Sequence, residues 1–263
     1  MESARKLTLS KFTPLKYERF WYSGKPFPRT LLDRCAKWER HFLDISRSLL
    51  MQKQEALARI YQGVHKFRSE IFPERRELFE RIRSRQDPLA MFVSCEDSRV
   101  IPNVFTQTEP GEIFNERNPG IMVPTHVEFV GGVTAGVEYA MLALKVPLVI
   151  VCGHTDCGVM KALLDPAKAE GMQGVQKWMT HGNGARDRVL HEHPYSRDEE
   201  QLQRLTEYNV LEQIENLKTH PSVHKRLRYG EVEIRGWVYD IGDSSIREAD
   251  PETGEFKLLG GKT

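Results

Sequence analysis

Several features that would place the chain in a specialised class are missing from its sequence. No apolar run approaches the roughly 20 residues that a membrane-spanning helix needs, and the opening MESARKLTLSKF has no apolar core typical of a secretory signal. The formal net charge is only +1, without a long basic run or an interleaved basic and aromatic patch. We therefore expect an ordinary soluble globular protein with no membrane span and no nucleic-acid partner.

Cysteine is also scarce, and its spacing excludes a small disulfide-rich scaffold. The four cysteines are widely and unevenly placed, at Cys35, Cys95, Cys152 and Cys157. A chain of 263 residues buries a sizeable core without such cross-links. We expect a reducing compartment where cysteines stay free to bind metal, with the cytoplasm as the default. The mildly basic, hydroxylated start leaves an organelle open, and a carboxysome stays open as well.

Alternating strand and helix patterns after residue 89 predict an α/β fold. The predicted strands are LAMFVSC, EIFNERN, VPLVIVCGH and VEIRGWVYDI. A helix is predicted after Gly131 and Gly132, and another from about Glu199 to Lys218. Such alternation is typical of a mainly parallel central β-sheet flanked by helices. The segment from Asp165 to Glu199 contains GNGARD and HEHPY, and we expect it to be irregular.

The N-terminal part predicts helix over residues 28–72, with a short helix after it near Leu78, Phe79 and Ile82. Apolar residues step by four and three along it, first from Leu31 to Leu49 and then at Leu57, Ile60, Val64 and Phe67. Two interpretations stay open for these stripes. They pack on the chain's own core, or one of them reaches onto a partner subunit.

Two polar clusters directly follow two predicted parallel strands. Cys95 begins the first cluster, CEDSR, and His154 and Cys157 belong to the second, HTDCG. Functional groups gather at the carboxyl ends of strands in open α/β sheets, so these three side chains are expected to converge. Two thiolates and an imidazole suit zinc, and three protein ligands leave the fourth position open for catalysis on water.

Each half of this pattern is a weak signal by itself. His-x-x-Cys occurs by chance in many chains, and so does one cysteine before an acidic residue. A lone cysteine at the end of an apolar strand is usually only buried, which is the role we expect for Cys152. The shared placement at strand ends beside charged groups favours Cys95 and Cys157 as ligands.

The segments SCEDSRV, GEIFNERN, TAGVEYAMLAL, VIVCGHTDCGVMKALL and RGWVYDI, in this order and spacing, resemble the beta-class carbonic anhydrases. The resemblance is to bacterial and cyanobacterial members above all and runs from roughly residue 57 to 255. It implies a zinc lyase that hydrates carbon dioxide reversibly to bicarbonate and a proton, with Zn²⁺ held by Cys95, His154 and Cys157. It further implies a homodimer or a larger assembly of dimers. We predict an N-terminal helical extension, residues 1–56, before a carbonic-anhydrase-like domain, residues 57–263.

The resemblance also implies roles for other side chains. Asp97 and Arg99 match the family's catalytic dyad, in which a bidentate guanidinium holds the carboxylate away from the metal. Gln86 falls where the family places a substrate-orienting amide, and Phe114 and Tyr139 fall where it lines an apolar substrate pocket. From the residues alone, these last three would be ordinary packing or loop residues.

The chain departs from the family pattern at several positions. Asn115 and Glu116 replace two apolar residues, Pro119 and Ile121 are unusual, and Arg235 stands in place of a histidine. A compensating pairing of Glu116 with Arg235 is one expectation. Phe92 occupies the position of a tryptophan that helps to form an effector pocket in bicarbonate-regulated members. We therefore expect an open site near neutral pH, with Asp97 held by Arg99.

Two other functions stay open at this point. One is hydrolysis of carbon disulfide or carbonyl sulfide on the same scaffold. The other is a structural homologue of weak activity within a carboxysome-like assembly, for which the altered Asn115–Glu116 strand and the extended N-terminus are the support. Retention of the three ligands and the dyad argues against this last possibility.

Overall fold

The computed structural model describes residues 49–126 and 131–260, and the chain divides into two compact units, Met1–Glu80 and Arg81–Thr263. The predicted helix over residues 28–48 lies outside the described residues. Helix α1 covers residues 49–74, with a π-helical turn at Phe67–Ile71 and a last turn at Phe72–Glu74, and α2 follows at Arg76–Ile82. Both confirm the predicted helices from residue 49 onward. The domain boundary after residue 56 stays a prediction.

The second apolar stripe on α1 is about half exposed. Leu57, Ile60 and Val64 are 48%, 61% and 54% exposed. At the end of the stripe, the ring of Phe67 lies 5.7 Å from that of Phe79 between centroids. Packing on the chain's own core and contact with a partner subunit both stay predictions for this stripe.

A six-stranded sheet forms the second unit. Its order is β2-β1-β3-β4-β5-β6, with β1 Ala90–Cys95, β2 Ile113–Asn118, β3 Leu148–His154, β4 Glu233–Tyr239, β5 Ile246–Ala249 and β6 Phe256–Leu258. The first four strands in this order are parallel, as predicted, and β5 and β6 extend the sheet in antiparallel fashion. The mainly parallel sheet flanked by helices is confirmed.

The helices of this unit are α3 Pro102–Phe105, α4 Gly132–Glu138, α5 Gly158–Leu164, α6 Gln173–Trp178, α7 Asn183–Glu192, α8 Asp198–Lys218 and α9 Pro221–Arg228. Helix α4 continues as a π-helix at Tyr139–Leu144, and 3-10 turns lie at Pro119–Ile121, Pro166–Ala169 and Met179–Gly182. The expectation of an irregular segment from Asp165 to Glu199 is wrong, because it holds α6 and α7. Both helices are short and mostly polar, and α7 buries only Ala185 and Val189, so no apolar stripe marks them.

The sheet is buried on both faces, which explains its nearly unbroken apolar strands. Met91, Val93, Val149 and Val151 belong to the larger core, into which residues of α4, α5, α7 and α8 also pack. Phe92, Ile150 and Tyr239 with the fully buried Cys152 form a second, smaller core. The burial expected for Cys152 is confirmed. Among residues 49–126 and 131–260, no helix is both long and apolar enough to cross a membrane.

Candidate metal centre and catalytic site

The parallel sheet brings three metal-ligand side chains together. Cys95 is the last residue of β1 and His154 the last of β3, and these neighbouring strands end at the same edge of the sheet. Cys157 follows three residues after His154, immediately before α5. The ligand atoms of these three buried residues all lie within 4.8 Å of one another. Of the residues that the structure describes, no other histidine, cysteine and carboxylate group of three or more is placed to hold a metal.

The hydrogen bonding of His154 leaves one ring nitrogen available to bind a metal. Its Nδ1 lies 2.8 Å from the carbonyl oxygen of Thr155, which only accepts hydrogen bonds, so Nδ1 carries the proton. Nε2 then presents a lone pair, and this buried atom has no hydrogen-bond partner. A buried acceptor of this kind beside two thiols fits a bound cation. Two sulfur ligands and one nitrogen ligand are a set that zinc prefers.

The pKa values of the two thiols are shifted in opposite directions. The hydrogen bond from Cys157 lowers the pKa of Cys95 despite its burial, with further help from the Gly120 N–H, whose nitrogen lies 3.5 Å from Sγ. The same bond and burial raise the pKa of Cys157 well above its ordinary value. Because a metal binds the thiolate form of cysteine, a cation between the two sulfurs would require both thiols to be deprotonated.

Asp97 and Arg99 form the expected dyad. The guanidinium donates from Nε to Oδ1 at 2.9 Å and from Nη2 to Oδ2 at 2.8 Å, and the Arg99 backbone N–H adds a third bond to Oδ1 at 3.0 Å. This bonding to Arg99 holds the pKa of the Asp97 carboxyl well below its usual range, so Asp97 is ionised at neutral pH. The carboxylate is held by Arg99, as the sequence predicts for an open site.

Arg117 is a site residue that sequence reasoning missed. Its Nε and Nη2 donate to the carbonyl oxygen of Cys95 at 3.1 and 2.9 Å, and Nη2 donates to that of Asp97 at 2.9 Å. It therefore anchors the backbone on which one metal ligand and one dyad member stand. Its position in the sequence could have indicated this role. Arg117 lies one residue before the end of β2, and β2 pairs with β1 up to Cys95 and Asn118.

The structure brings two of the three predicted pocket residues together, but not beside the ligands. The rings of Phe114 and Tyr139 lie 5.9 Å apart between centroids, and Tyr139 is 48% exposed. Phe114 pairs with Met91 in β1, four residues or about 13 Å before Cys95. Gln86 is exposed in the segment that leads into β1, and so it precedes the opposite end of this strand from Cys95.

The expected pairing of Glu116 with Arg235 is wrong. Glu116 stands on β2 and Arg235 on β4, and strands β1 and β3 lie between them. Arg235 instead pairs with Glu233 and, at 3.8 Å, with Glu248. Glu116 is partly buried and faces Gly136 of α4, and burial together with the nearby charge of Glu96 raises its pKa.

The sequence and the fold are similar to those of known carbonic anhydrases. Residues 90–246 match the family model described as "Carbonic anhydrase". A carbonic anhydrase of Pseudomonas aeruginosa is 40% identical over 200 residues, 76% of this chain and 90% of that protein. Carbonic anhydrase 1 of Escherichia coli O157:H7 is 40% identical over 201 residues, 76% and 91% of the two chains. The solved structure of the beta-carbonic anhydrase CcaA has a TM-score of 0.76 at 35% identity, covering 79% of this chain and 94% of its own.

Proposed function

The chain belongs to the beta class of carbonic anhydrases, and from this premise we propose that it holds one Zn²⁺ on Cys95, His154 and Cys157. Its function is the reversible hydration of carbon dioxide to bicarbonate and a proton. The observation that supports the zinc assignment best is the buried Cys-His-Cys group, in which Nε2 of the histidine has no other partner. When bound, zinc supplies the Lewis acidity that makes a water molecule nucleophilic near neutral pH.

We propose that Asp97 is the hydrogen-bond acceptor beside the metal. A carboxylate offers about four lone-pair directions. Arg99 occupies two of them on Oδ1 but only one on Oδ2, so Oδ2 keeps acceptor capacity. The bidentate pairing also keeps this carboxylate from binding the metal itself, while the low pKa of Asp97 keeps it ionised.

Gln86, Phe114 and Tyr139 are proposed as substrate-binding residues, and their placement suggests which site they serve. They lie toward the amino-terminal edge of the parallel strands, whereas the ligands stand at the carboxyl edge of the same chain. We propose that they contribute to the apolar pocket of a neighbouring subunit in a homodimer or an assembly of dimers. The exposure of Tyr139 and of Leu142, at 48% and 57%, supports such a covered position.

The remaining proposals concern the setting of the enzyme. The similar proteins from Pseudomonas aeruginosa and Escherichia coli are bacterial, and we propose a cytoplasmic location for this chain. The comparisons give no support to hydrolysis of carbon disulfide or to a weakly active scaffold protein.

Stopped-flow carbon dioxide hydration, run beside metal analysis of the purified chain, tests the proposed function. We expect about one zinc per chain and hydration far above the uncatalysed rate. Cys157→Ser is expected to lose most of the bound zinc and most of the hydration activity. Cys152→Ala is the matched control, because Cys152 is also a buried thiol but lies outside the ligand group. A Cys157→Ser variant with full zinc, or a zinc-loaded wild type without hydration activity, would overturn the proposal.

A further inference from the structure

A second carboxylate, Asp156, holds the far edge of the dyad guanidinium. Arg99 Nη1 donates to Asp156 Oδ2 at 3.0 Å, and Nη2 approaches the Asp156 carbonyl oxygen at 3.4 Å. Since Asp97 occupies Nε and Nη2, every nitrogen of the guanidinium has a carboxylate partner. Asp97 and Arg99 are two residues apart on one loop, whereas Asp156 lies on the loop between His154 and Cys157. The contact therefore joins the dyad to the segment that bears two of the three ligands.

Asp156 has an unusual backbone conformation, and its carboxylate has a second partner. Its φ is 63°, in the left-handed region that favours glycine. Aspartate adopts this conformation more readily than most non-glycine residues, so the backbone accommodates the Asp156 side chain at a cost on the order of 1 kcal/mol. The other carboxylate oxygen, Oδ1, pairs with Lys161 of α5. The carboxylate is thereby fixed between a helix residue and Arg99.

Stability alone does not explain this arrangement. The side chains of Arg99 and Asp156 are 45% and 52% exposed, and exposed ion pairs contribute little to folding. The contact between Arg99 and Asp156 instead restricts where the guanidinium can lie. A guanidinium bound by Asp97 alone can swing together with that carboxylate, because both stand on the same loop. A guanidinium also bound by Asp156 keeps a fixed position relative to His154 and Cys157.

We propose that Asp156 is a positioning residue for carbon dioxide hydration, which holds Arg99, and through it Asp97, in register with the metal ligands. This inference rests on the proposed function. Asp156 acts through Arg99 and is not a catalytic residue. A displacement of about 1 Å at a reacting group is enough to cost large factors in rate, so loss of the anchor lowers kcat while the metal stays bound.

Two substitutions remove the carboxylate in different ways. Asp156→Gly suits the left-handed backbone, and so its effect does not come from strain, while Asp156→Asn keeps the size of the side chain. The matched control is Asp165→Asn, because Asp165 is similarly exposed and pairs with Lys168 at 2.7 Å next to the other end of α5. We expect both Asp156 variants to lower kcat about tenfold at unchanged zinc content, and the control to keep the wild-type value.

Two further readouts separate positioning from a structural role. In an Arg99→Gln background, Asp156→Asn should lower kcat less than twofold further, because the anchor acts through Arg99. A crystal structure of Asp156→Gly should show the guanidinium displaced relative to Cys95, His154 and Cys157, or in more than one position. A wild-type kcat in Asp156→Gly, an unmoved guanidinium, or an equal loss in both backgrounds would overturn the inference. If wild-type protein holds zinc but lacks hydration activity, the proposed function fails, and the crystal structure still decides whether Asp156 anchors Arg99.

Discussion

Gly120 occupies a position beside the metal centre that no larger residue fits. It lies in the 3-10 turn after β2 with φ 74°, and its N–H faces the sulfur of Cys95 at 3.5 Å. Its carbonyl oxygen accepts a hydrogen bond from Asn209 at 3.0 Å. A Cβ at this position would stand 2.8 Å from Cγ1 and 3.0 Å from Cβ of Val159. Gly120→Ala therefore strains the backbone and forces Val159 or the turn to move.

The loss in the free energy of unfolding that we expect for Gly120→Ala follows from these two effects. The left-handed conformation costs an alanine about 1–2 kcal/mol, and overpacking against a branched side chain adds about 1–3 kcal/mol. We expect Gly120→Ala to lose about 2–5 kcal/mol in the free energy of unfolding. Gly171→Ala is the matched control, since Gly171 has φ 79° but nothing within 4 Å of its would-be Cβ. It should lose only the backbone part, about 1–2 kcal/mol.

Urea unfolding of both variants measures the stability loss, and chelator competition measures the zinc affinity. Because the turn also orients the Cys95 sulfur, Gly120→Ala should weaken zinc binding about tenfold or more, while Gly171→Ala leaves it unchanged. Adding Val159→Ala to Gly120→Ala should recover most of the packing part of the loss. Equal stability losses for the two glycine variants, or unchanged zinc affinity in Gly120→Ala, would refute the reasoning.

Three other predictions concern the dyad and β2. Asp97→Asn should cut kcat strongly and keep zinc, because an amide does not pair ionically with Arg99; near-normal stopped-flow turnover would contradict it. Burial raises the pKa of Glu116, so its ionised form destabilises the fold once the pH exceeds the ordinary pKa of glutamate, about 4.3. Glu116→Gln should accordingly be more stable than wild type in thermal melts at pH 7, with no gain below about pH 4; a gain independent of pH would contradict this cause. Arg117→Met should weaken zinc binding about 10–100-fold in chelator competition, since it frees the Cys95 and Asp97 carbonyls; wild-type affinity would exclude the anchoring role.

The convergence of Cys95, His154 and Cys157 could be predicted from sequence because it depends on a simple property of parallel sheets. Strands that run in one direction end at one edge, so polar residues at those ends meet even when they are far apart in the chain. Cys95 and His154 meet for this reason, and Cys157 follows at a fixed short spacing. The alternation of strands and helices likewise determined the fold class.

What could not be predicted depends on register, strand order and surface. Arg117 reaches two carbonyl oxygens only because β2 pairs with β1 in one register. The pairing of Glu116 with Arg235 failed because the order β2-β1-β3-β4 separates their strands. The contact of Asp156 with Arg99 links two loops 57 positions apart, without a spacing rule that would reveal it. Helices α6 and α7 were not predicted because short polar helices have no apolar periodicity.

X-ray absorption at the zinc edge, recorded on the purified full chain, tests the central claim most directly. Two sulfur ligands at about 2.3 Å and one histidine nitrogen at about 2.0 Å are expected in the first shell, with one sulfur fewer in any zinc that Cys157→Ser retains. A first shell of oxygen and nitrogen alone in the wild-type protein would contradict the assignment of Cys95, His154 and Cys157 as the metal centre.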